Sequence, residues 1–182
     1  YLAAGVPYKR RGKRLEEQLE QMKRIWAGQP VHANVGPIGP PPTQTKGPEL
    51  LLGGYMPATI QRVTHAADGI IVGTNDMEQI DKMFREVEHG WQEASRAGKP
   101  RLVAQIDIAL ETRDVGQGRK NLLDYYAALP SFAASKAATL LTTEQQLSET
   151  MHALEQVGAD EVVFFTWSTE IEQIDRIADL LG

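Results

Sequence analysis

Residues 48–76, PELLLGGYMPATIQRVTHAADGIIVGTND, hold the residue types and spacings that point to ligand chemistry. Gly53 and Gly54 follow the apolar run Leu50–Leu52, and Pro57 then opens a helix at an early position that proline tolerates. A glycine pair lets the backbone turn sharply or approach a ligand closely. N–H groups at the start of the following helix offer partial positive charge to an anion such as a phosphate. Gly73 and Thr74 end a second apolar run, Ile70–Val72, pairing a close approach with a hydroxyl that donates a hydrogen bond. Gln105 and Asp107 interrupt a third run, Leu102–Leu110, and polar side chains inside a strand need partners. Glu111 lies just past that run, and Thr166, Trp167 and Ser168 close the last one.

Other chemistry finds less support. His32, His65, His89 and His152 are widely spaced and share no metal-ligand pattern, so no metal site is expected. His65 and His152 fall on predicted helices, which leaves His32, in a long loop, as the better catalytic candidate of the set. Zero cysteines excludes disulfides, thiolate metal sites and a cysteine nucleophile, and fits a cytoplasmic protein. No Ser-His-Asp arrangement, phosphate-loop lysine motif or glycine-rich dinucleotide fingerprint is present. Asp76, Glu78 and Asp81 read as helix-start charges.

The chain of 182 residues has the length of one domain, and 42% hydrophobic residues suffice for a substantial core. Its 19 Lys+Arg against 24 Asp+Glu give a net charge of −5, which argues against a nucleic-acid surface. The basic cluster Lys9–Arg14 reads as a solvated turn before a helix. No apolar run approaches the roughly 18 residues of a membrane span. The chain begins with Tyr1 rather than Met, so either something was removed or this is part of a longer polypeptide.

The elements that must position these residues alternate. Lys13–Trp26 predicts a helix with Leu15, Leu19, Met22 and Trp26 on one face. A Pro- and Gly-crowded loop spans Val31–Pro48, the length of a lid or linker. Leu50–Leu52 and Ile70–Val72 flank a helix striped by Ile60, Val63 and Ala67. Asn75 with Glu78 resembles a capping box for a long helix carrying Ile80, Met83, Phe84, Val87, Trp91 and Ala94. After the third strand come a turn at 114–118, a helix over Arg119–Leu129, an apolar stretch Phe132–Leu141 and a helix over Thr143–Val157. Glu161–Trp167 is the fourth strand, with Val162–Phe165 as a buried run. Thr169 and Glu172 resemble a capping box for a last helix striped by Ile171, Ile174, Ile177, Ala178 and Leu181. Such alternation means parallel strands with helical crossovers. Four strands fit a small doubly wound sheet or half of a (β/α)8 barrel, whose usual size is about 250 residues.

Five stretches taken in order resemble the carboxyl-terminal part of the bacterial luciferase-like monooxygenase family. They are GVPYKRRGKRLEEQLEQMKRIWAG (5–28), GPIGPPPTQ followed by PELLLGG (36–54), ADGIIVG (67–73), LLDYYAALPSFAASKAATLLTTEQQL (122–147) and GADEVVFFTWSTEIEQIDRIADLLG (158–182). The resemblance covers nearly the whole chain. It implies a (β/α)8 TIM-barrel fold of which this chain holds about the last four strands, with the amino-terminal strands absent.

The same resemblance implies an oxidoreductase that uses reduced FMN for oxygen insertion or the deazaflavin coenzyme F-420 for hydride transfer, on a small organic substrate. It places Gly53, Gly54, Tyr55, Met56, Gly73 and Thr74 against the cofactor. Gln105, Asp107 and Trp167, at carboxyl strand ends, fall in the substrate pocket of such a barrel. No catalytic side chain is singled out, which suits chemistry carried by a cofactor. Four parallel strands without neighbours leave two unpaired sheet edges. That, with the family's habit of pairing, predicts a homodimer. The alternatives are a non-catalytic flavin-binding fragment and a scaffold for association with another chain.

Overall fold

A computed structural model describes residues 1–45, 47–113 and 115–182. After a 3-10 turn at Tyr8–Arg10 the elements are α1 (Arg11–Trp26), β1 (Leu51–Gly53), α2 (Pro57–Ala66), β2 (Gly69–Val72), α3 (Met77–Glu93) and β3 (Arg101–Ile108). They continue with α4 (Gln117–Tyr125), α5 (Pro130–Thr139), α6 (Glu144–Gln156), β4 (Glu161–Thr166) and α7 (Gln173–Leu181). The predicted turn at 114–118 begins on a residue outside the described ones.

All three strand pairings are parallel and the strand order is β1-β2-β3-β4. That order decides between the two architectures left open by the alternation. A doubly wound sheet reverses direction at a switch point, whereas an unbroken order with each helix returning to the same side is the winding of a (β/α)8 barrel. The helices do lie on one side. Leu52, Ile70, Val72, Leu102, Ala104, Ile106, Ile108, Val162 and Phe164 face Val63 of α2, Ile80, Phe84 and Val87 of α3, Leu147 and Leu154 of α6, and Ile177 of α7. Side chains alternate along a strand, so Leu51, Ile71, Val103, Gln105, Val163 and Phe165 take the other face, which is the inner face of a barrel.

Along β4 that inner face is left exposed, and three expectations drawn from the sequence differ from the structure. Val162–Phe165 is not a buried run: Val163 and Phe165 are 37% and 43% exposed, because β4 is an edge strand covered on one side only. Of the stripe expected on α7, Ile177 is buried, whereas Ile171, Ile174, Ala178 and Leu181 face outward and Gln173 is buried instead. Of the face expected to bury on α1, only Leu19 is buried; the helix docks on α2 through it and through an Arg62–Glu16 ion pair at 2.9 Å. The long stripe of α3 is buried as expected through Trp91, with Ala94 left exposed at the helix end.

Two caps also differ. Asp76, not Asn75, caps α3, its side chain accepting the Gln79 N–H at 3.1 Å. The Thr169–Glu172 box does not form, and α7 starts without a side-chain cap. An unforeseen capping box does form at Thr143 with Gln146 on α6. Phe132–Leu141 is mostly helix α5, followed by Leu141 bridging to Ile108 beside the sheet.

Candidate functional site at the carboxyl ends of the strands

β1 stops at Gly53 and the backbone turns at Gly54, whose φ of +142° is a conformation that L side chains rarely adopt. A Cβ there would lie 2.7 Å from Thr59 Oγ1, so the turn itself demands glycine. The N–H groups of Gly54, Tyr55 and Met56 make no hydrogen bond to the described residues, and they sit before α2 at the mouth of the sheet. Met56 is 69% exposed there. Tyr55 folds back instead, its hydroxyl donating to Gly73 O at 2.7 Å. Burial, then the nearby Asp107 carboxylate and Tyr126, push its phenol above the ordinary tyrosine range. Thr74 Oγ1 accepts the Asp76 N–H at 3.2 Å, which leaves its own hydrogen free to donate.

The centre of the site is Asp107, near the end of β3 and 2% exposed. Its backbone is clamped by Asn75, whose amide accepts the Asp107 N–H at 2.8 Å and donates to Asp107 O at 2.8 Å. The same amide also donates to Thr139 O at 2.8 Å, joining β2, β3 and α5. Asn75 is thus a strand-to-strand clamp rather than the predicted cap. Asp107 Oδ1 accepts the Trp167 indole N–H at 2.8 Å, and Oδ2 is paired with the Lys136 ammonium. Lys136 Nζ also donates to Gly73 O at 3.2 Å. The buried carboxylate therefore has its partners, as a polar side chain inside an apolar strand requires.

Helices α4 and α5 close over this cluster. Leu122, Ala137, Leu140 and Trp167 pack with Ala109 in a small second core. Asn121 donates to Trp167 O at 2.9 Å and Arg119 donates to Ala137 O. Trp167 also meets Tyr125, Tyr126 and Phe165 at ring centroid distances of 5.5, 5.8 and 5.2 Å. Tyr126 has its phenol pushed up by burial first and by Asp107 second. Between α5 and the ends of β1 and β2 lies a cavity of about 320 Å³ lined by Tyr55, Gly73, Thr74, Phe132, Ser135 and Lys136, among others.

Of the residues singled out from the sequence, the structure gathers Tyr55, Gly73 and Thr74 around that cavity, with Asp107 bound to Lys136 on its wall. Gly53 and Gly54 form the adjoining turn, and Met56 points outward. Gln105 is half-buried on the inner face next to Gly73, and its side chain makes no hydrogen bond to the described residues. Trp167 is 8% exposed and belongs to the aromatic cluster. His32 is not brought in; its Nδ1 accepts the Asn34 N–H within its own loop. Sequence reasoning missed Lys136 and Asn75. Only the unexplained carboxylate at 107 hinted that a cation had to arrive from elsewhere.

A larger cavity, about 890 Å³, lies at the opposite, amino end of the strands and includes Trp26, Glu49, Asp68, Arg96, Arg101 and Asp160 in its lining. Several of its polar groups hold the fold, while the buried Trp91 Nε1 meets no hydrogen-bond partner among the described residues. Asp68 accepts the Leu50 N–H and Asp160 the Leu102 N–H, each at 2.8 Å, and Arg101 pairs with Glu49 and Glu161. Barrels place their sites at the carboxyl ends of strands, so size does not select this groove. Among the described residues there is no metal-holding cluster and no helix long and apolar enough to cross a membrane.

A family model for luciferase-like monooxygenases matches residues 1–180. The chain belongs to the luciferase-like monooxygenase family. Uncharacterized proteins of Mycobacterium tuberculosis and Mycobacterium bovis are 30% identical to it over 103 residues, 53% of this chain and 35% of theirs. Three solved structures share the fold of this family member. Monooxygenase RslO1 from Streptomyces bottropensis superposes with a TM-score of 0.67 at 17% identity, over 91% of this chain and 56% of that one. An F420-dependent secondary alcohol dehydrogenase, in complex with an F420-acetone adduct, gives 0.68 at 13% identity over 96% and 62%. Riboflavin lyase RcaE, with modified FMN and riboflavin, gives 0.69 at 12% identity over 99% and 59%. The chain thus spans little more than half the length of these solved relatives, and its four-stranded sheet is part of a TIM barrel.

Proposed function

We propose that this chain is the carboxyl-terminal part of a flavin- or deazaflavin-dependent oxidoreductase acting on a small organic substrate. The observation that carries the reading is the cluster at the carboxyl strand ends, found in a chain of this family. Residues present there fit such a cofactor. The unpartnered N–H groups of Gly54, Tyr55 and Met56, the Thr74 hydroxyl and the Lys136 ammonium form a donor set suited to the oxygens and phosphate of a flavin. When bound, reduced FMN supplies oxygen insertion and reduced deazaflavin supplies hydride transfer.

The protein's own part is to bind, orient and exclude water. Gly53, Gly54, Tyr55, Met56, Gly73 and Thr74 contact the cofactor, and Gln105 and Trp167 wall the substrate side. Asp107 serves the pocket through the groups that it holds, since both its oxygens are engaged. The related F420-dependent dehydrogenase and the FMN-bearing riboflavin lyase support both cofactors, so the choice between them is experimental. We place the protein in the cytoplasm and expect a homodimer.

Titration with FMN and with the deazaflavin, followed by cofactor fluorescence, tests the reading. Saturable quenching by one of them is expected. A well-folded sample including any upstream residues that bound neither would refute it. Light scattering should give twice the monomer mass at micromolar concentration.

A further inference from the structure

We propose that Lys136 is an oxyanion-binding residue of the strand-end pocket and that Asp107 is the positioning residue that aims it. The inference rests on the strand-end site as the place where ligand binds, but not on which cofactor it takes. Lys136 arrives on α5, a helix with no other tie of its side chains to Asp107, and its ammonium is gripped from beneath. One N–H goes to Gly73 O at 3.2 Å and another to Asp107 Oδ2. An ammonium has three donors, and the third meets no acceptor among the described residues.

Exposure is unequal within the pair: the Lys136 side chain is 11% exposed and that of Asp107 is 3%. A ligand in the 320 Å³ cavity therefore meets the cation, with the carboxylate behind it. The Thr74 and Ser135 hydroxyls and the Phe132 ring, whose centroid lies 5.7 Å from Nζ, share that wall. Asp76 is the acid lining the cavity, and its Oδ1 is occupied by the Gln79 N–H. A buried ion pair is weak evidence for stability, since an apolar pair of similar volume serves a fold as well or better. A spare, pre-aimed N–H beside two hydroxyls is instead what a phosphate or carboxylate oxygen requires. The oxyanion has two possible sources: the phosphate of the cofactor, or an acidic group on the substrate.

The test compares the wild-type chain with Lys136→Met, Lys136→Arg and Asp107→Asn. Each is titrated with inorganic phosphate, FMN and riboflavin by calorimetry, after melting curves establish that it folds. Lys136→Met should weaken phosphate binding by about tenfold or more, and Lys136→Arg should restore most of it. Asp107→Asn should weaken phosphate binding in the wild-type background and cause no further loss in Lys136→Met, a coupling that a merely structural role for Asp107 would not produce. If the cofactor is the source, the wild type binds FMN at least about tenfold more tightly than riboflavin, and Lys136→Met abolishes the difference. If the substrate is the source, FMN and riboflavin bind alike in both proteins while the loss of phosphate binding persists. Phosphate binding without any flavin binding would count against the oxidoreductase reading and leave the oxyanion site supported. Failure of the wild type to bind phosphate, or unchanged phosphate binding by a folded Lys136→Met protein, would overturn the proposal.

Discussion

The two ends of the sheet use the same residue type in opposite ways. At the amino end, Asp68 and Asp160 each accept a strand N–H, Leu50 and Leu102, and Arg101 ties Glu49 to Glu161. These bonds fix the strands relative to one another. At the carboxyl end, Asp107 turns its oxygens to the side chains of Lys136 and Trp167, which come from elements 29 and 60 residues away. The backbone task there falls to Asn75. One end spends its polar groups on register, and the other gathers donors around a cavity. This is the division of labour expected of a barrel, with stability at the bottom and ligand chemistry at the top.

Removing the carboxylate at each end should separate their roles most strongly. Asp107→Ala leaves Lys136 without its counter-ion and the Trp167 indole without its acceptor, and should cost about 3 kcal/mol in urea unfolding. It should also weaken flavin binding. Gly54→Ala forces a side chain into a φ of +142° against Thr59, and should cost about 2 kcal/mol while disturbing the donor turn. Asp68→Ala, at the amino end, should cost about 1 kcal/mol and leave flavin affinity unchanged. A loss of affinity there equal to that of Asp107→Ala would erase the distinction between the ends.

The smallest effect concerns Tyr55. Its raised phenol pKa means that the folded state holds the proton more tightly than the unfolded chain does. The stabilisation is complete below the unfolded value near pH 10 and is lost as pH rises through the folded value. Tyr55→Phe should therefore flatten the decline of stability above about pH 10, and should cost about 1 kcal/mol at neutral pH through the lost bond to Gly73 O. Melting curves at stepped alkaline pH would show this, and an unchanged slope would count against a raised Tyr55 phenol pKa.

What the sequence disclosed was local or ordered along the chain. The α3 stripe, the glycine turn after β1 and the succession of family-like stretches were all readable. Faces that depend on a neighbour were not. On α7, the expected stripe of Ile171, Ile174, Ile177, Ala178 and Leu181 has helical spacing, but so do Gln173, Ile177 and Leu180, and only packing decides which set is covered. The same holds for Val163 and Phe165 on an edge strand whose inner face carries no layer. Lys136 escaped notice because nothing near it in sequence signals its partner on β3. Asn75 looked like a cap because the adjacent Asp76 performs that role, and an amide clamp across two strands leaves no spacing pattern.

The central claim, that ligand chemistry belongs to the carboxyl ends of these strands, is tested most directly by mapping backbone NMR shifts on addition of FMN. The account predicts perturbations at Gly54, Tyr55, Gly73, Thr74 and Lys136, with Glu49, Asp68, Arg101 and Asp160 unmoved. Shifts concentrated instead in the larger groove around Trp26, Arg96 and Arg101 would contradict it.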